Sequence, residues 1–254
     1  MGSGPKTLLC FHGYSQSGLS FAFLNKAIEP EFSLIALDFP FHGGTSWKEG
    51  LLFSITDLVQ ILLMICKEQS LEFQDLSLIG FSMGGRVALS LVETLPKKIS
   101  RLVLIAPDGM RLNFWYWFVT QTWFGNRIFE EALERPSPVL GILRLLNRLK
   151  LVNRSIYKFI SFYVHDKGVR KELYERWTTM RRFRPRLRQI KALIKSHKIP
   201  IRFLYGEHDR VIRFERGIRF IKGLESFGEI KVLSSGHLLL VPENAEGIVS
   251  LLKY

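Results

Sequence analysis

Acidic residues are scarce in this chain: 23 Asp and Glu stand against 36 Lys and Arg, for a net charge of +13. Cysteine is scarcer still. Cys10 and Cys66 are too few for a disulfide framework and sit in apolar segments, so both read as buried thiols in a reducing, cytoplasmic setting. Long apolar runs are missing. The longest, 58–66, is about nine residues and contains Gln60, whereas a membrane span needs about 20. The amino end, Met1-Gly2-Ser3-Gly4-Pro5-Lys6, is polar and does not read as a secretory leader. There is no internal repeat, and the six histidines are not spaced as zinc ligands. No nucleic-acid motif accompanies the basic charge, so nucleic acid is not an expected partner. The charge is uneven, with 20 Lys and Arg against 6 Asp and Glu between Arg111 and Lys198. Three readings fit it: a solvated helical face, an anionic small-molecule substrate, or an anionic surface.

What is present is an alternation of short apolar runs with amphipathic stretches. Strands are expected at 6–11, 32–37, 76–80, 100–106, 199–205 and 229–233, with helices at 19–28, 54–68, 83–95, 213–222 and 244–252 between and after them. Strands that are apolar throughout are covered on both faces, which calls for a mostly parallel, doubly wound sheet of about six strands. From Asp108 to His197 the alternation stops. Aromatic and basic stretches at 113–118, 139–151, 157–164 and 169–182 read as an all-helical insertion at 108–197, leaving 1–107 and 198–254 as one α/β core.

In such a sheet, reactive groups gather where strands end at their carboxyl termini. Those ends carry His12-Gly13-Tyr14, Gly80-Phe81-Ser82-Met83-Gly84-Gly85, Gly206-Glu207-His208-Asp209 and Ser235-Gly236-His237. A Gly-x-Ser-x-Gly between strand and helix holds a serine on a sharp turn with its hydroxyl exposed, and glycines are needed where the backbone doubles back. The order Ser, Asp, His matches one of the serine-hydrolase arrangements and not the others. Asp108, also just past a strand, is the competing acid. Glu207, two residues before Asp209 in the same strand-end segment, is not read as half of a carboxylate pair.

With Asp38-Phe39-Pro40-Phe41-His42-Gly43 added, the chain resembles the α/β-hydrolases over nearly its whole length. The resemblance implies a serine hydrolase of carboxylic esters or related acyl compounds, in which Ser82 attacks, His237 is the base and Asp209 orients it. It also implies an oxyanion hole from the amides of Tyr14 and Met83, no metal or organic cofactor, and a cap that chooses a small acyl substrate. Cap candidates are Trp115, Trp117 and Arg181, with Arg86 and Phe41 from the core. His12 is expected to brace the oxyanion loop, Asp38 to shape its own turn and His42 to pin it.

Two departures stand out: only a few residues precede the first strand, where the family opens with an antiparallel hairpin, and Phe41 stands where its turn has glycine. Gly84-Gly85-Arg86 is also similar to the menaquinone-pathway 2-succinyl-6-hydroxy-2,4-cyclohexadiene-1-carboxylate synthases, lyases that eliminate pyruvate from a polyanionic substrate. From another class comes a non-catalytic ligand-binding protein on the same fold, or a peripheral one whose segment 114–127 lies on an anionic membrane.

Overall fold

The computed structural model describes residues 2–29, 31–111, 114–149 and 166–253. Its strands are β1 (Lys6–Phe11), β2 (Phe32–Leu37), β3 (Leu76–Phe81), β4 (Ile99–Ile105), β5 (Ile201–Gly206) and β6 (Gly228–Leu233). They form one six-stranded sheet in the order β2-β1-β3-β4-β5-β6. Every pairing is parallel. Parallel strands need crossovers, and the crossovers cover both faces. The residues Leu8, Leu9, Leu78, Ile79, Val103, Leu104, Phe203 and Leu204 are fully buried, which is why these strands read as unbroken apolar runs.

Between the strands lie α1 (Asn25–Ile28), α2 (Ile55–Glu68) and α3 (Met83–Thr94). The first expected helix is split: a 3-10 turn at Gly18–Leu24 precedes α1. α2 starts with a capping box. The Asp57 amide donates to Ser54 Oγ at 3.2 Å while the Ser54 amide donates to Asp57 Oδ2 at 2.8 Å, so two orphan donors of the first turn are satisfied. α3 is buried from Met83 to Val92, because it lies on the sheet and packs beside α2 and a later helix.

The chain divides into two compact units. One consists of Met1–Thr45, Ser54–Arg111 and Phe183–Tyr254 and contains the sheet; the other consists of Ser46–Phe53 and Leu112–Arg182. The helical unit holds α4 (Phe114–Gln121), α5 (Trp123–Glu134), α6 (Pro136–Arg148) and α7 (Lys167–Thr179). Its core is aromatic: Phe129 meets Tyr174 and Trp177 at 5.6 and 5.7 Å between centroids, and Trp177 meets Tyr116 at 5.1 Å. The Phe53 amide donates to the Thr179 carbonyl at 3.0 Å, tying 46–53 into this unit. The helix expected at 157–164 lies outside the described residues.

The sequence predicts an insertion over 108–197; in the structure the helix α8 (Leu187–His197) groups with the sheet. The reason is local. Ile190 and Ile194 are fully buried, the helix packs on α3, and Arg186 just before it donates to Glu93 of α3 through its amide at 3.0 Å and through its guanidinium. Two short helices, α9 (Glu215–Ile221) and α10 (Ala245–Ser250), complete the sheet unit.

Replacing Ser54 by Ala removes one half of the capping box and leaves the other. The expected cost is about 1 kcal/mol of stability, read as a lower urea midpoint with an unchanged slope.

Candidate active site

The sharp turn after β3 is built from backbone clearances. A Cβ on Gly84 would lie 1.9 Å from the Phe11 carbonyl oxygen, and one on Gly80 would lie 2.6 Å from the Gly84 carbonyl oxygen. Only hydrogen fits at either position. Between them Ser82 takes φ 49° and ψ −114°, a left-handed conformation that costs a non-glycine residue of order 1–3 kcal/mol. The surroundings hold it there. The Ser82 amide donates to the Ile105 carbonyl at 2.9 Å, and its own carbonyl accepts from the amides of Gly85 (2.9 Å) and Asp108 (2.8 Å).

This turn brings the Ser82 hydroxyl to 3.1 Å from Nε2 of His237. The other ring nitrogen of His237, Nδ1, is 2.7 Å from Oδ2 of Asp209. An ionised carboxylate only accepts, so Nδ1 donates and Nε2 is left with a lone pair facing Ser82. Asp209 is held on its other oxygen, where Oδ1 accepts the amides of Val211 at 2.7 Å and Ile212 at 2.8 Å. Its side chain is wholly buried while that of His237 is 22% exposed. Burial on its own would raise the carboxyl pKa. The His237 hydrogen bond, the Ile212 amide, the His237 charge and the Val211 amide outweigh it, and Asp209 stays below its ordinary value. The ring of Phe81 packs at 5.4 Å from that of His237.

Asp108, the competing acid, is engaged elsewhere. Its Oδ2 lies 3.6 Å from the Arg86 guanidinium and its Oδ1 accepts the Gly109 amide at 2.7 Å. Arg86 is buried on α3, its side chain 6% exposed, so the structure sets this cation behind the turn in an ion pair.

His12 is fully buried at the end of β1. Its Nδ1 is 2.7 Å from the Gly13 carbonyl, and its Nε2 accepts the Phe39 amide at 3.2 Å. Those two bonds tie the loop after β1, where Tyr14 lies, to the loop after β2. His42 Nδ1 reaches the Pro40 carbonyl at 2.8 Å, and Asp38 Oδ1 accepts the Gly18 amide. Phe41, at the family's glycine position, has φ 62°. The aromatic residue therefore sits in the backbone region that glycine enters without strain. No motif predicted that strain; only the glycine it replaces hinted at it.

In the helical unit, Trp117 packs on Phe114 at 5.9 Å, and Arg181 accepts a hydrogen bond from Gln121 on its carbonyl at 2.6 Å. The side chain of Trp115 lies outside the described residues. Cys10 and Cys66 are both free thiols, and burial pushes each pKa up. Among the described residues no three His, Cys, Asp or Glu side chains gather as a metal would require, and no helix is long and apolar enough to cross a membrane.

Comparison with known proteins bears on the fold and the family. A family model described as alpha/beta hydrolase fold matches residues 6–244. The uncharacterized hydrolase YugF of Bacillus subtilis is 24% identical over 249 residues, covering 97% of this chain and 88% of that one. A second B. subtilis protein, provisionally named 2-succinyl-6-hydroxy-2,4-cyclohexadiene-1-carboxylate synthase, is 37% identical over 103 residues, which is 40% of this chain and 36% of that one. Among solved structures, a thermophilic esterase from Thermogutta terrifontis superposes with a TM-score of 0.67 at 16% identity, over 99% of this chain and 89% of that one. At that identity the likeness speaks to the fold alone. With its parallel sheet, its strand-end loops and a match over nearly its full length, the chain belongs to the alpha/beta hydrolase fold family.

Proposed function

We propose that the protein is a serine hydrolase of carboxylic esters or related acyl compounds. The observation that carries this reading is the unbroken run of hydrogen bonds from Ser82 Oγ through His237 to Asp209, at 3.1 and 2.7 Å. A serine hydroxyl is a weak nucleophile at neutral pH and needs a base within reach as it attacks. His237 Nε2 takes the Ser82 proton while Oγ bonds to the acyl carbon. Asp209 then stabilises the imidazolium without accepting its proton. The imidazolium returns the proton to the departing alcohol, and the acyl-serine is cleared by a water that His237 activates in the same way.

The tetrahedral oxyanion takes its hydrogen bonds from the amides of Met83 and Tyr14. Met83 is the first residue of α3, so its amide is among the donors that an α-helix leaves without an internal partner. Tyr14 lies in the loop braced by His12. No step calls for a cofactor. In this reading the helical unit selects the acyl compound, with Trp115, Trp117 and Arg181 as candidates there and Phe41 in the sheet unit.

Elimination of pyruvate from a polyanionic carboxylate is the second reading, favoured by the 37% identity over 103 residues to the provisionally named synthase. The burial of Arg86 and its pairing with Asp108 weigh against it, since a cation already engaged by a carboxylate is poorly disposed to bind another. A purely non-catalytic role is weighed down by the strain at Ser82, which a binding protein has no need to maintain.

A fluorophosphonate probe should label the wild type and leave Ser82→Ala unlabelled; equal labelling of the two, or none of either, removes the hydrolase reading. In a panel of short esters, long esters, thioesters and the cyclohexadiene carboxylate, ester turnover is expected, and elimination with no hydrolysis would move the assignment to the lyase. On whichever ester turns over, Asp209→Asn should lower kcat by about 10⁴, because the tautomer is lost, and Asp108→Asn by far less. The reverse order would give Asp108 the orienting role.

The depressed pKa of Asp209 has a sign that stability measurements can check. A carboxyl lowered in the folded state contributes stability above its unfolded pKa of about 4 and loses it as pH falls through the folded value. Thermal midpoints of wild type and Asp209→Asn should therefore differ by a constant amount at neutral pH. Below about pH 4 the wild type should lose ground to the variant.

A further inference from the structure

The helix α5 has two apolar faces, and among the described residues only one of them is used inside its own unit. The inner face carries Gly125 and Leu133, both buried, together with Phe129 against Tyr174 and Trp177, and Asn126 bonded to Thr178 and Tyr174. On the other side Trp123 is 81% exposed, Phe124 62% and Ile128 45%. Positions i, i+1 and i+5 fall on one stripe of a helix, with Arg127 between them.

The next helix repeats the pattern. On α6 Leu145 is 57% exposed, and Leu149 just past its end is 58% exposed; Arg144 and Arg148 beside them are exposed as well. Isolated exposed apolar residues need no explanation, but two successive helices with large apolar side chains and arginines on the same kind of stripe do.

Charge identifies the partner. Arg127 of α5 and Arg135 just past its end are offset by glutamates of α5, Arg127 with Glu130 at 2.9 Å and Arg135 with Glu131 at 3.2 Å. α6 has no acidic residue in its sequence. The helical unit as a whole has 14 Lys and Arg against 7 Asp and Glu, a net +7 out of the chain's +13. A protein partner for an exposed Trp-Phe pair would not require such an excess.

We propose that the exposed stripes of α5 and α6 dock on the surface of an anionic phospholipid bilayer. Trp123 and Phe124 enter the headgroup–acyl boundary, where aromatic side chains are favoured, and Leu145 and Leu149 follow. Arg144 and Arg148 lay their stems along the apolar layer and keep their guanidinium groups among the phosphates. Each cation near such a surface strengthens binding by about fivefold, screened by salt. Docking of this kind is peripheral and reversible, and it does not depend on the chemistry proposed for Ser82.

The test is co-sedimentation of the full chain with vesicles of phosphatidylcholine, alone or with about one third phosphatidylglycerol. Wild type should bind the mixed vesicles, bind the neutral ones weakly, and be released as salt rises from about 0.1 M to about 0.5 M. Trp123→Ser with Phe124→Ser should bind about tenfold more weakly, with circular dichroism and the thermal midpoint unchanged. Arg144→Gln with Arg148→Gln, which leaves the aromatic pair in place, should reduce the preference for anionic over neutral lipid and gives a second route if the first variant fails to fold. Failure of wild type to sediment with anionic vesicles would overturn the proposal, as would wild-type binding by both double variants. A wild-type dimer that the Trp123/Phe124 variant splits, with no vesicle binding, would assign the face to a second copy of the chain.

Discussion

Everything at the site depends on one residue being held where an L-amino acid does not rest. Ser82 is kept at a left-handed φ of 49° because its backbone is bonded on both sides to the neighbouring strand and the loop after it. The two flanking glycines allow β3 and α3 to close up until a single methyl group would collide with backbone. This is a packing constraint before it is a chemical one. It fixes the direction of the hydroxyl, and the loops carrying Asp209 and His237 have only to reach it. The burial of α3 along ten successive residues means that the turn cannot shift unless the sheet shifts with it.

The Arg86–Asp108 pair belongs to the same support. Asp108 offers its amide to the Ser82 carbonyl and its carboxylate to Arg86, so the second acidic residue near the turn steadies the backbone while Asp209 serves the imidazole. Two aspartates, each just past a strand, thus hold different parts of one site. Their separation follows from which strand end each occupies.

Much of this was legible in the sequence, for physical reasons. β1 and β2 match the expected ranges residue for residue because each is a short, mainly apolar run bounded by polar or turn residues. Ser82, Asp209 and His237, which the structure brings within hydrogen-bond reach of one another, each follow a strand and are marked by nearby glycine. What stayed hidden depends on distant partners. Nothing near Arg86 in sequence announces that Asp108, 22 positions on, will neutralise it. The helix Leu187–His197 is amphipathic in sequence whichever surface its isoleucines cover, so its place beside α3 could not be read from its pattern. The strain at Phe41 shows only indirectly, through the glycine the family has in that turn, since a side chain's identity does not disclose its φ.

The sheet order has a consequence for how the chain assembles. Between β4 and β5, neighbours in the sheet that pair at Leu102 and Ile201, the chain runs through the whole of 106–200. That pairing joins residues 99 positions apart, against 69 between Leu8 and Ser77 in the β1–β3 register. Once such a loop is long, however, its closure entropy grows only with the logarithm of its length, by about 0.6 kcal/mol per doubling. Residues can therefore be added to or removed from the helical unit at little thermodynamic expense to the strands on either side. The part of the molecule proposed to meet substrate and membrane is thus the part whose size the sheet constrains least.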